Sequence, residues 1–250
     1  MPIGFAKNIL AGSSASAFAN TQAASWTVLS SHDGFTTFDG KFNDSLMSDF
    51  DGNSEDCDST IRIYPANTNF KFNKNFAYTI EFFLGFSNTS SIPQSHDIME
   101  ITADHTEGLD DTTTTNGRIT ANGQNVFFHT QGDTGGVTYS RSNFGGNHHS
   151  GAIHVALVSD GSGNQAWYAD GSRIMNTTYT TTASDEAVAL GFRGSRNSSS
   201  PRVAFDEIRI SDIARYSGTS LTVPTSAFTT DANTLALFHC DGNQNDSSRG

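Results

Sequence analysis

The segment at residues 205–242 constrains the fold most strongly, because it places acidic side chains inside a short apolar run. It reads FDEIRISDIARYSGTSLTVPTSAFTTDANTLALFHCDG, in which the strand-like runs FDEIRI and TLALFH flank a polar connector. Every second residue of a strand shares one face, so Glu207 lies with Phe205, and Asp206 lies with Ile208 on the opposite face. A carboxylate on each face of a sheet costs free energy unless each one has a hydrogen-bond or metal partner.

The remainder of the 250-residue chain has the composition of an all-β protein. Gly, Ser, Thr and Asn are abundant, and apolar runs at helical spacing are missing. Asp-Gly or Asn-Gly pairs at 33–34, 39–40, 122–123 and 170–171 separate short runs of β-forming residues, and such pairs favour tight hairpin turns. The pattern predicts an antiparallel two-sheet sandwich at residues 26–250.

Individual strands can be placed within this pattern. FAYTIEFFLGF at 76–86 has large apolar side chains on both of its faces, which predicts a central strand that is covered on both sides. The runs IHVALV, QAWYA and SRI that follow Gly151 predict three strands joined by tight turns. The segment SDIARY at 211–216 is expected to form a short helical turn, with Ser211 as its cap.

Residues 1–25 differ from the rest of the chain in being rich in small residues. They lack the continuous apolar core of a signal peptide. We interpret them as an N-terminal arm that docks the protein to a partner. No run along the chain reaches the apolar length of a membrane span.

The formal net charge of −12 argues against a nucleic-acid partner, since phosphate backbones are bound by clustered Lys and Arg. The charge is explained by a solvated acidic surface, or by divalent-cation sites in loops rich in Asp, Asn and Gly. The two cysteines, Cys57 and Cys240, are expected to be free thiols, because a chain of this length needs no disulfide to be stable. A bridge between them stays open as the alternative.

Four motifs resemble, in order, those of the concanavalin A-like lectin/glucanase superfamily in its laminin-G-like form. FAYTIEFFLGF is similar to that family's FTIEFW strand, with Phe83 at the usual position of tryptophan. HHSGAIHVALVSDGSGNQAWYADGSRI is similar to its hairpin WHHVALVRDGSGNLRLYVDG, AVALGFRGS to its IGG strand, and FDEIRISDIARYSG to its DEVRIS-VARY segment. The resemblance covers residues 26–242 and implies a two-sheet antiparallel jelly roll.

The resemblance also implies a structural Ca²⁺. Members of the superfamily often hold this ion near the aspartate of the DEIRI strand, which is Asp206 in this sequence. A hard cation needs several oxygen ligands, so an N-terminal turn at Asp39 or Asp51 and backbone carbonyls would complete the site. The resemblance assigns no other cofactor.

A catalytic site is not expected. The glucanases of the superfamily carry E-x-D-x-x-E on one strand, and the nearest match here is SHDIME at 95–100. Asp97 and Glu100 are present, but Ser95 replaces the leading glutamate, which leaves a retaining hydrolase without its nucleophile.

Histidines and loop residues are further candidates for binding. The histidines His148, His149 and His154 are explained more simply by hydrogen bonds than by metal ligation. Sugars would be bound by aromatic and polar side chains in loops at one end of the sandwich. The loops available for this are 104–118, 141–150 and 193–201, which include Phe144 and Arg196.

The leading hypothesis for function is a non-enzymatic structural protein of a virion, because the closing segment resembles domains of bacteriophage virion proteins. It would be a decoration or fibre protein that acts in particle assembly or in adhesion to host-surface glycans. Its partners would be other virion proteins, bound through residues 1–25, and a homo-oligomer is compatible with this. The alternatives are a secreted carbohydrate-binding module and, with less support, a glycoside hydrolase that uses Glu100.

Overall fold

The structure is a computed structural model, and the ranges that it describes are 25–28, 35–39, 41–42, 44–48, 56–64, 70–88, 90–102, 117–130, 136–144, 151–180, 187–195 and 202–241. These ranges form antiparallel strands and one short 3₁₀ turn at Arg141–Phe144, and no α-helix occurs among them. The all-β, two-sheet antiparallel sandwich predicted from the sequence is therefore confirmed.

The first sheet has seven strands. In spatial order they are β1 (Ser25–Val28), β4 (Asp56–Tyr64), β13 (Ala187–Ser195), β6 (Ile92–Thr102), β7 (Gly117–Gly123), β8 (Asn125–Thr130) and β9 (Val137–Ser140). Strand β4 begins within the acidic run EDCD at 55–58, because residues 56–60 pair with β13. The predicted hairpin at Asn122-Gly123 is confirmed as the β7–β8 turn.

The second sheet has eight strands and carries the features that matter for function. In spatial order they are β12 (Ser172–Thr178), β11 (Asn164–Ala169), β10 (Ile153–Asp160), β5 (Ala77–Phe86), β14 (Val203–Ser211), β3 (Asp44–Ser48) and β2 (Phe35–Asp39), and β15 (Thr234–Phe238) also pairs with β14. Strands β3 and β15 both pair with β14, so segments from near the two ends of the chain meet in this sheet.

The core lies between the two sheets and is formed by the alternate residues of each strand. Trp167 of β11 is fully buried there, and its ring packs on Phe128 of β8 with 5.3 Å between the ring centroids. Its indole N–H donates to the carbonyl oxygen of His129 at 2.9 Å, which ties the second sheet to the first. A buried indole N–H needs such a partner, so this bond fixes how the sheets face each other.

The strand β5 is central, as its composition predicted, and it is buried on both faces. Ile80 and Phe82 point into the core between the sheets. Glu81 and Phe83 point to the other face, and both are buried as well. The outer face of the second sheet is therefore a second packing surface, which explains why this strand shows no clean alternation of polar and apolar residues.

The outer face is covered by the connector between β14 and β15, residues 212–233, which we call the covering segment. Phe228 packs on Phe83 with 6.0 Å between ring centroids, and Leu221 packs against buried residues of β10 and β11. The backbone N–H of Arg215 donates to the Thr79 hydroxyl at 2.9 Å. The predicted helical turn at 211–216 is wrong: this stretch is irregular after Ser211, because the carbonyl oxygen of Ile213 and the backbone N–H of Arg215 both bond to the Thr79 hydroxyl of the sheet.

The assignment of faces in β14 is also wrong, because the strand contains a β-bulge. Its register with β5 shifts between Asp206 and Arg209, and Glu207 has a positive φ of 52°. The extra residue puts Phe205 and Ile208 into the core, whereas Asp206 and Glu207 both face the outer layer. Neither carboxylate enters the apolar core between the sheets, although both are buried in the outer layer.

Two further sequence predictions concern single segments. Cys240 is a buried free thiol, as expected, whereas the side chain of Cys57 lies outside the described residues. Residues 1–24 of the predicted arm also lie outside them, so the division into an arm and a domain stays a prediction.

The turn between β10 and β11 provides a test of this fold. Gly161 has a φ of +71°, and a Cβ atom there would lie 2.8 Å from the backbone nitrogen of Ala77. We expect Gly161→Ala to lower the free energy of unfolding by more than about 2 kcal/mol, since it combines a strained φ with a backbone clash. Urea unfolding monitored by Trp fluorescence measures the loss.

Gly123 is the matched control. Its φ is +59°, and a Cβ atom there meets nothing within 4 Å. Gly123→Ala should therefore cost only the conformational strain, about 1–2 kcal/mol. Equal losses for the two variants would contradict the close contact between this turn and the start of β5.

Candidate functional site

A groove of about 390 Å³ lies on the outer face of the second sheet, at the edge of the covering segment. Three neighbouring strands, β10, β11 and β12, form its floor and one wall, and the covering segment forms the other wall. The residues that line it are Val158, Asp160, Asn164, Gln165, Ala166, Tyr168, Arg173, Asn176, Ala214, Tyr216, Ser217 and Gly218.

Strand pairing explains the order of these side chains. Val158 pairs with Ala166, which pairs in turn with Asn176, so one row across the sheet runs from an apolar floor to a polar edge. In the next row Tyr168 pairs with Arg173. A floor of small apolar side chains with a few polar groups on its rim is typical of small-molecule sites.

The two tyrosines present their rings, not their hydroxyls, to the groove. The Tyr168 hydroxyl donates to the carbonyl oxygen of Gly218 at 3.0 Å, and the Tyr216 hydroxyl donates to Glu81 Oε2 at 2.7 Å. The ring centroids are 6.0 Å apart. Because the hydroxyls are already engaged, both rings are held in place. The Tyr168 ring is buried in the floor, whereas the half-buried Tyr216 ring offers apolar surface to the groove.

One end of the groove carries a fixed carboxylate. Asp160 Oδ1 accepts hydrogen bonds from the backbone N–H groups of Ser162 and Asn164, at 2.7 and 3.0 Å. The Asn164 side-chain amide donates to Oδ2 at 2.6 Å. Partial burial raises the pKa of Asp160, but these hydrogen bonds outweigh it and hold the pKa below its ordinary value. The carboxylate is therefore ionised and oriented at neutral pH.

Behind the groove lies a buried carboxylate, Glu81, that holds the covering segment in place. His154 Nε2 lies 2.9 Å from Oε2, and Arg209 Nε donates to Oε1 at 2.8 Å. Together with the bond from Tyr216, these contacts connect Glu81 to β10, to β14 and to the covering segment. Arg209 also lies over the Phe228 ring, 4.2 Å from its centroid.

Burial by itself would raise the pKa of Glu81, but hydrogen bonds from His154 and Tyr216 and the charge of Arg209 keep it below the ordinary value. The pKa of Tyr216 is raised, by burial and by the charge of Glu81. Glu81 is thus ionised at neutral pH. The Tyr216 hydroxyl stays protonated and donates a hydrogen bond to that carboxylate. This pairing fixes the wall of the groove.

The predicted metal ligand Asp206 lies on the far side of the same face. Its Oδ2 accepts the backbone N–H of Phe42 at 2.9 Å, and its Oδ1 is buried without a hydrogen-bond partner. Burial raises the pKa of Asp206 to about 7, although the hydrogen bond from Phe42 opposes this and the nearby charge of Glu207 adds to it. The β2–β3 turn, which contains Phe42, therefore contacts Asp206.

The other predicted calcium ligands are not brought to Asp206 by the described structure. Asp39 ends β2 immediately before this turn, but its side chain lies outside the described residues, and so does Asp51. Both oxygens of Glu207 are engaged, with Phe228 N and His239 Nδ1. Among the described residues no three His, Cys, Asp or Glu side chains are grouped to hold a metal. One carboxylate oxygen without a partner fits a cation poorly, so calcium stays a prediction.

Asp97 and Glu100, the remains of the glucanase motif, lie on the outer face of the first sheet. Asp97 pairs with Arg193 and Glu100 with Ala189 of β13. The Arg118 guanidinium donates to Asp97 Oδ1 at 2.7 Å through its Nε. An ion pair of this kind occupies a carboxylate that a hydrolase would need to be free, and the Ser95 side chain lies outside the described residues.

The other sequence candidates also contribute little to the groove. Phe144 is fully buried against Phe86 and Tyr139 and cannot stack on a sugar. His154 is the buried partner of Glu81, as the hydrogen-bond interpretation predicted. The pair His148-His149 and Arg196 lie outside the described residues.

Sequence reasoning missed the groove because it looked to loops at the end of the sandwich. A signal was nevertheless present in the outward-facing positions of β11 and β12, where Asn164, Tyr168, Arg173 and Asn176 interrupt small apolar residues. Local pattern could not show that the distant Tyr216 would form the opposite wall.

Comparison of the whole fold identifies structures that are similar to this chain. The binding domain of Paraclostridial Mosquitocidal Protein 1 is 16% identical with a TM-score of 0.53, and the match covers 77% of this chain. The botulinum neurotoxin serotype D binding domain is 10% identical with a TM-score of 0.53 and 77% coverage. The binding domain of botulinum neurotoxin DC in complex with SialylT is 12% identical, with a TM-score of 0.52 and 78% coverage.

The match covers 45%, 44% and 44% of the lengths of these three structures, so the chain spans less than half of each. At such low identity the similarity establishes the fold alone. No protein-family model matches the sequence, and no curated protein matches it.

The resemblance to the concanavalin A-like superfamily in its laminin-G-like form is therefore wrong as a family assignment. The similar structures are binding domains of clostridial toxins, and no family model supports the motifs. The physical reason is that each motif consists of alternating apolar residues next to a turn. That pattern specifies a strand or a hairpin in any antiparallel sandwich, so it carries fold information and little family information.

None of the described residues forms a helix with the length and apolar character that crossing a membrane requires.

The contacts of Glu81 with His154, Arg209 and Tyr216 predict that one conservative substitution at Glu81 has a large effect on stability. Glu81→Gln leaves the buried charge of Arg209 without a counter-ion, so we expect a loss of about 3–5 kcal/mol in the free energy of unfolding. Asp231→Asn is the matched control, since it also removes one negative charge from an arginine pair but at a side chain that is 44% exposed. It should cost about 1 kcal/mol or less.

Urea unfolding at pH 7 measures both losses. Tyr216→Phe removes a single bond to Glu81 and should cost about 1–3 kcal/mol, so it provides a readout if Glu81→Gln does not fold. Similar stabilities of Glu81→Gln and Asp231→Asn would show that the buried cluster does not anchor the covering segment.

The burial of Asp206 predicts an unusual pH dependence of the free energy of unfolding. Its pKa is raised to about 7 in the folded state, above the ordinary value of an aspartate, so the folded state binds the extra proton and stability falls as pH rises through this window. Asp206→Asn mimics the protonated form, so its stability relative to the native chain should increase by roughly 2–4 kcal/mol between pH 4 and pH 8. Thermal or urea unfolding across this range provides the measurement.

Asp160→Asn is the control for this experiment, because the pKa of Asp160 is lowered and not raised. Parallel pH profiles for the native chain and Asp206→Asn would contradict the burial of this carboxylate. The same variants test calcium: if the ion binds at Asp206, millimolar Ca²⁺ at pH 8 raises the melting temperature of the native chain and leaves that of Asp206→Asn unchanged.

Proposed function

We propose that this chain is a non-enzymatic carbohydrate-binding module and that its glycan occupies the groove beside the covering segment. The observation that carries the proposal is the pairing of a fixed aromatic ring with an oriented polar rim. The half-buried ring of Tyr216 supplies apolar surface, and Asp160 with Asn164 supplies acceptors and donors for hydroxyl groups.

The chemistry of the groove matches a sugar better than an apolar ligand. A pyranose has apolar C–H faces and a rim of hydroxyl groups, so it needs ring surface and hydrogen-bonding groups side by side. The amide of Asn176 and the ionised carboxylate of Asp160 can each bond to a hydroxyl. The volume of about 390 Å³ lies at the lower end of the range for small-molecule sites and suits a short oligosaccharide.

The similar structures support a binding function in general terms. All three are described as binding domains, and one of them is a complex with SialylT. Those ligands belong to those proteins, and the identities are too low to transfer any residue. They favour recognition over catalysis as the role of this fold.

A glycoside hydrolase is the less favoured alternative. Asp97 is held by Arg118, and the sequence lacks a third carboxylate at position 95. A double displacement needs a nucleophile and a separate acid/base residue that are both free to react. Glu100 by itself does not meet this need.

The cellular setting, a virion or a secreted module, stays a prediction from the sequence. Attachment to a virion would depend on residues 1–25, most of which lie outside the described residues, and a secreted module would use the same groove. Deletion of the arm with retained glycan binding would separate docking from recognition.

A glycan array tests the proposed function. Ala214 is exposed and lines the groove, so Ala214→Trp fills the space that a sugar would occupy. We expect the native chain to bind a subset of glycans and this variant to lose at least about tenfold in affinity, which corresponds to about 1.4 kcal/mol.

Ser226→Trp is the matched control, since Ser226 is an exposed residue of the same segment that does not line the groove. It should bind like the native chain. Unchanged glycan binding by Ala214→Trp would show that the glycan binds outside this groove. Release of reducing sugar by the native chain that is lost in Glu100→Gln would favour the hydrolase.

A further inference from the structure

The charges along the groove suggest which class of glycan it takes, an inference that rests on the proposed function. Arg173 lines the groove from the edge strand β12. Among the described residues Arg118, Arg209 and Arg215 are each paired with a carboxylate, whereas Arg62 and Arg173 have no carboxylate partner. Arg62 is fully buried and donates to the Tyr64 hydroxyl, so Arg173 is the one of these two that a ligand in the groove can reach.

The position of Arg173 is fixed by the backbone. Its N–H donates to the carbonyl oxygen of Thr219 at 2.9 Å, which ties the edge strand to the covering segment. Strand pairing places Arg173 beside Tyr168, whose ring forms part of the groove. A planar guanidinium with free donors is the side chain best suited to bind a carboxylate in a two-pronged manner.

The two ends of the groove have opposite charges. Asn164 and Asp160 lie at one end of β11, and Tyr168 with Arg173 lies near the other end. Tyr168 is four positions after Asn164, which corresponds to about 13 Å along a strand. This span exceeds one sugar ring, so a ligand that reaches both ends is a disaccharide or longer.

We propose that the groove binds an oligosaccharide that carries a carboxylate, with the carboxylate on Arg173 and hydroxyl groups of the next sugar on Asn176, Asn164 and Asp160. Tyr216 covers the sugar between these ends. A densely charged polyanion does not fit, because the net charge of −12 and the ionised Asp160 would repel it. The ligand is therefore a mostly neutral glycan with a single acidic sugar, such as a uronic acid or a sialic acid.

The test uses matched pairs of glycans that differ only in the acidic group. Cellobiouronic acid is compared with cellobiose and sialyllactose with lactose, by array binding followed by calorimetry on the purified chain. We expect at least one acidic member to bind about 10- to 100-fold more tightly than its neutral counterpart, as charge-assisted hydrogen bonds imply. Arg173→Gln should remove this preference, so that the acidic and the neutral member of each pair bind with similar affinity.

Lys74→Gln is the control, because it makes the same change in net charge at a residue that does not line the groove. It should keep the preference, and Arg173→Lys should keep part of it. Equal binding of acidic and neutral members, or a preference that survives Arg173→Gln, would overturn the inference and leave the proposed function standing. Failure of the native chain to bind any glycan would overturn both.

Discussion

The rest of the structure depends on one buried carboxylate, Glu81, on the outer face of the second sheet. An ionised glutamate without solvent is stable only if several donors surround it. His154, Arg209 and Tyr216 supply these donors from β10, from β14 and from the covering segment. The carboxylate thus converts a sheet face that would otherwise be open to water into a second packed layer.

The covering segment is held by two kinds of contact that act together. Phe228 and Leu221 bury apolar surface against the sheet, which provides most of the attraction. The polar contacts decide its exact position, because the Tyr216 hydroxyl has one strong acceptor in Glu81. Where this cover stops, the small side chains of Val158 and Ala166 remain as a floor beside Tyr216 of the covering segment, and the groove results.

The β-bulge of β14 serves the same layer. Since it turns both Asp206 and Glu207 outward, Glu207 can accept the backbone N–H of Phe228 and Asp206 that of Phe42. A regular strand would have sent Glu207 into the core, where Ile208 and Ile210 now pack. The bulge therefore links the packing of the core to the attachment of the covering segment.

The sequence by itself determined the strands, their hairpin turns and the antiparallel sandwich, because alternation and Asp-Gly or Asn-Gly turns act over a few residues. It also indicated that the carboxylates of FDEIRI need partners and that His154 is a hydrogen-bonded residue. Only the tertiary structure decided the faces of Asp206 and Glu207, since a register shift depends on the neighbouring strand β5.

The groove was likewise decided by tertiary structure alone. Tyr168 and Tyr216 are 48 positions apart, and the hydroxyl contacts that set their rings arise only when the covering segment folds back onto the sheet. The family assignment failed for a related reason, because short motifs record local strand and turn preferences. Long-range packing decides what a sandwich can bind, and no local pattern contains it.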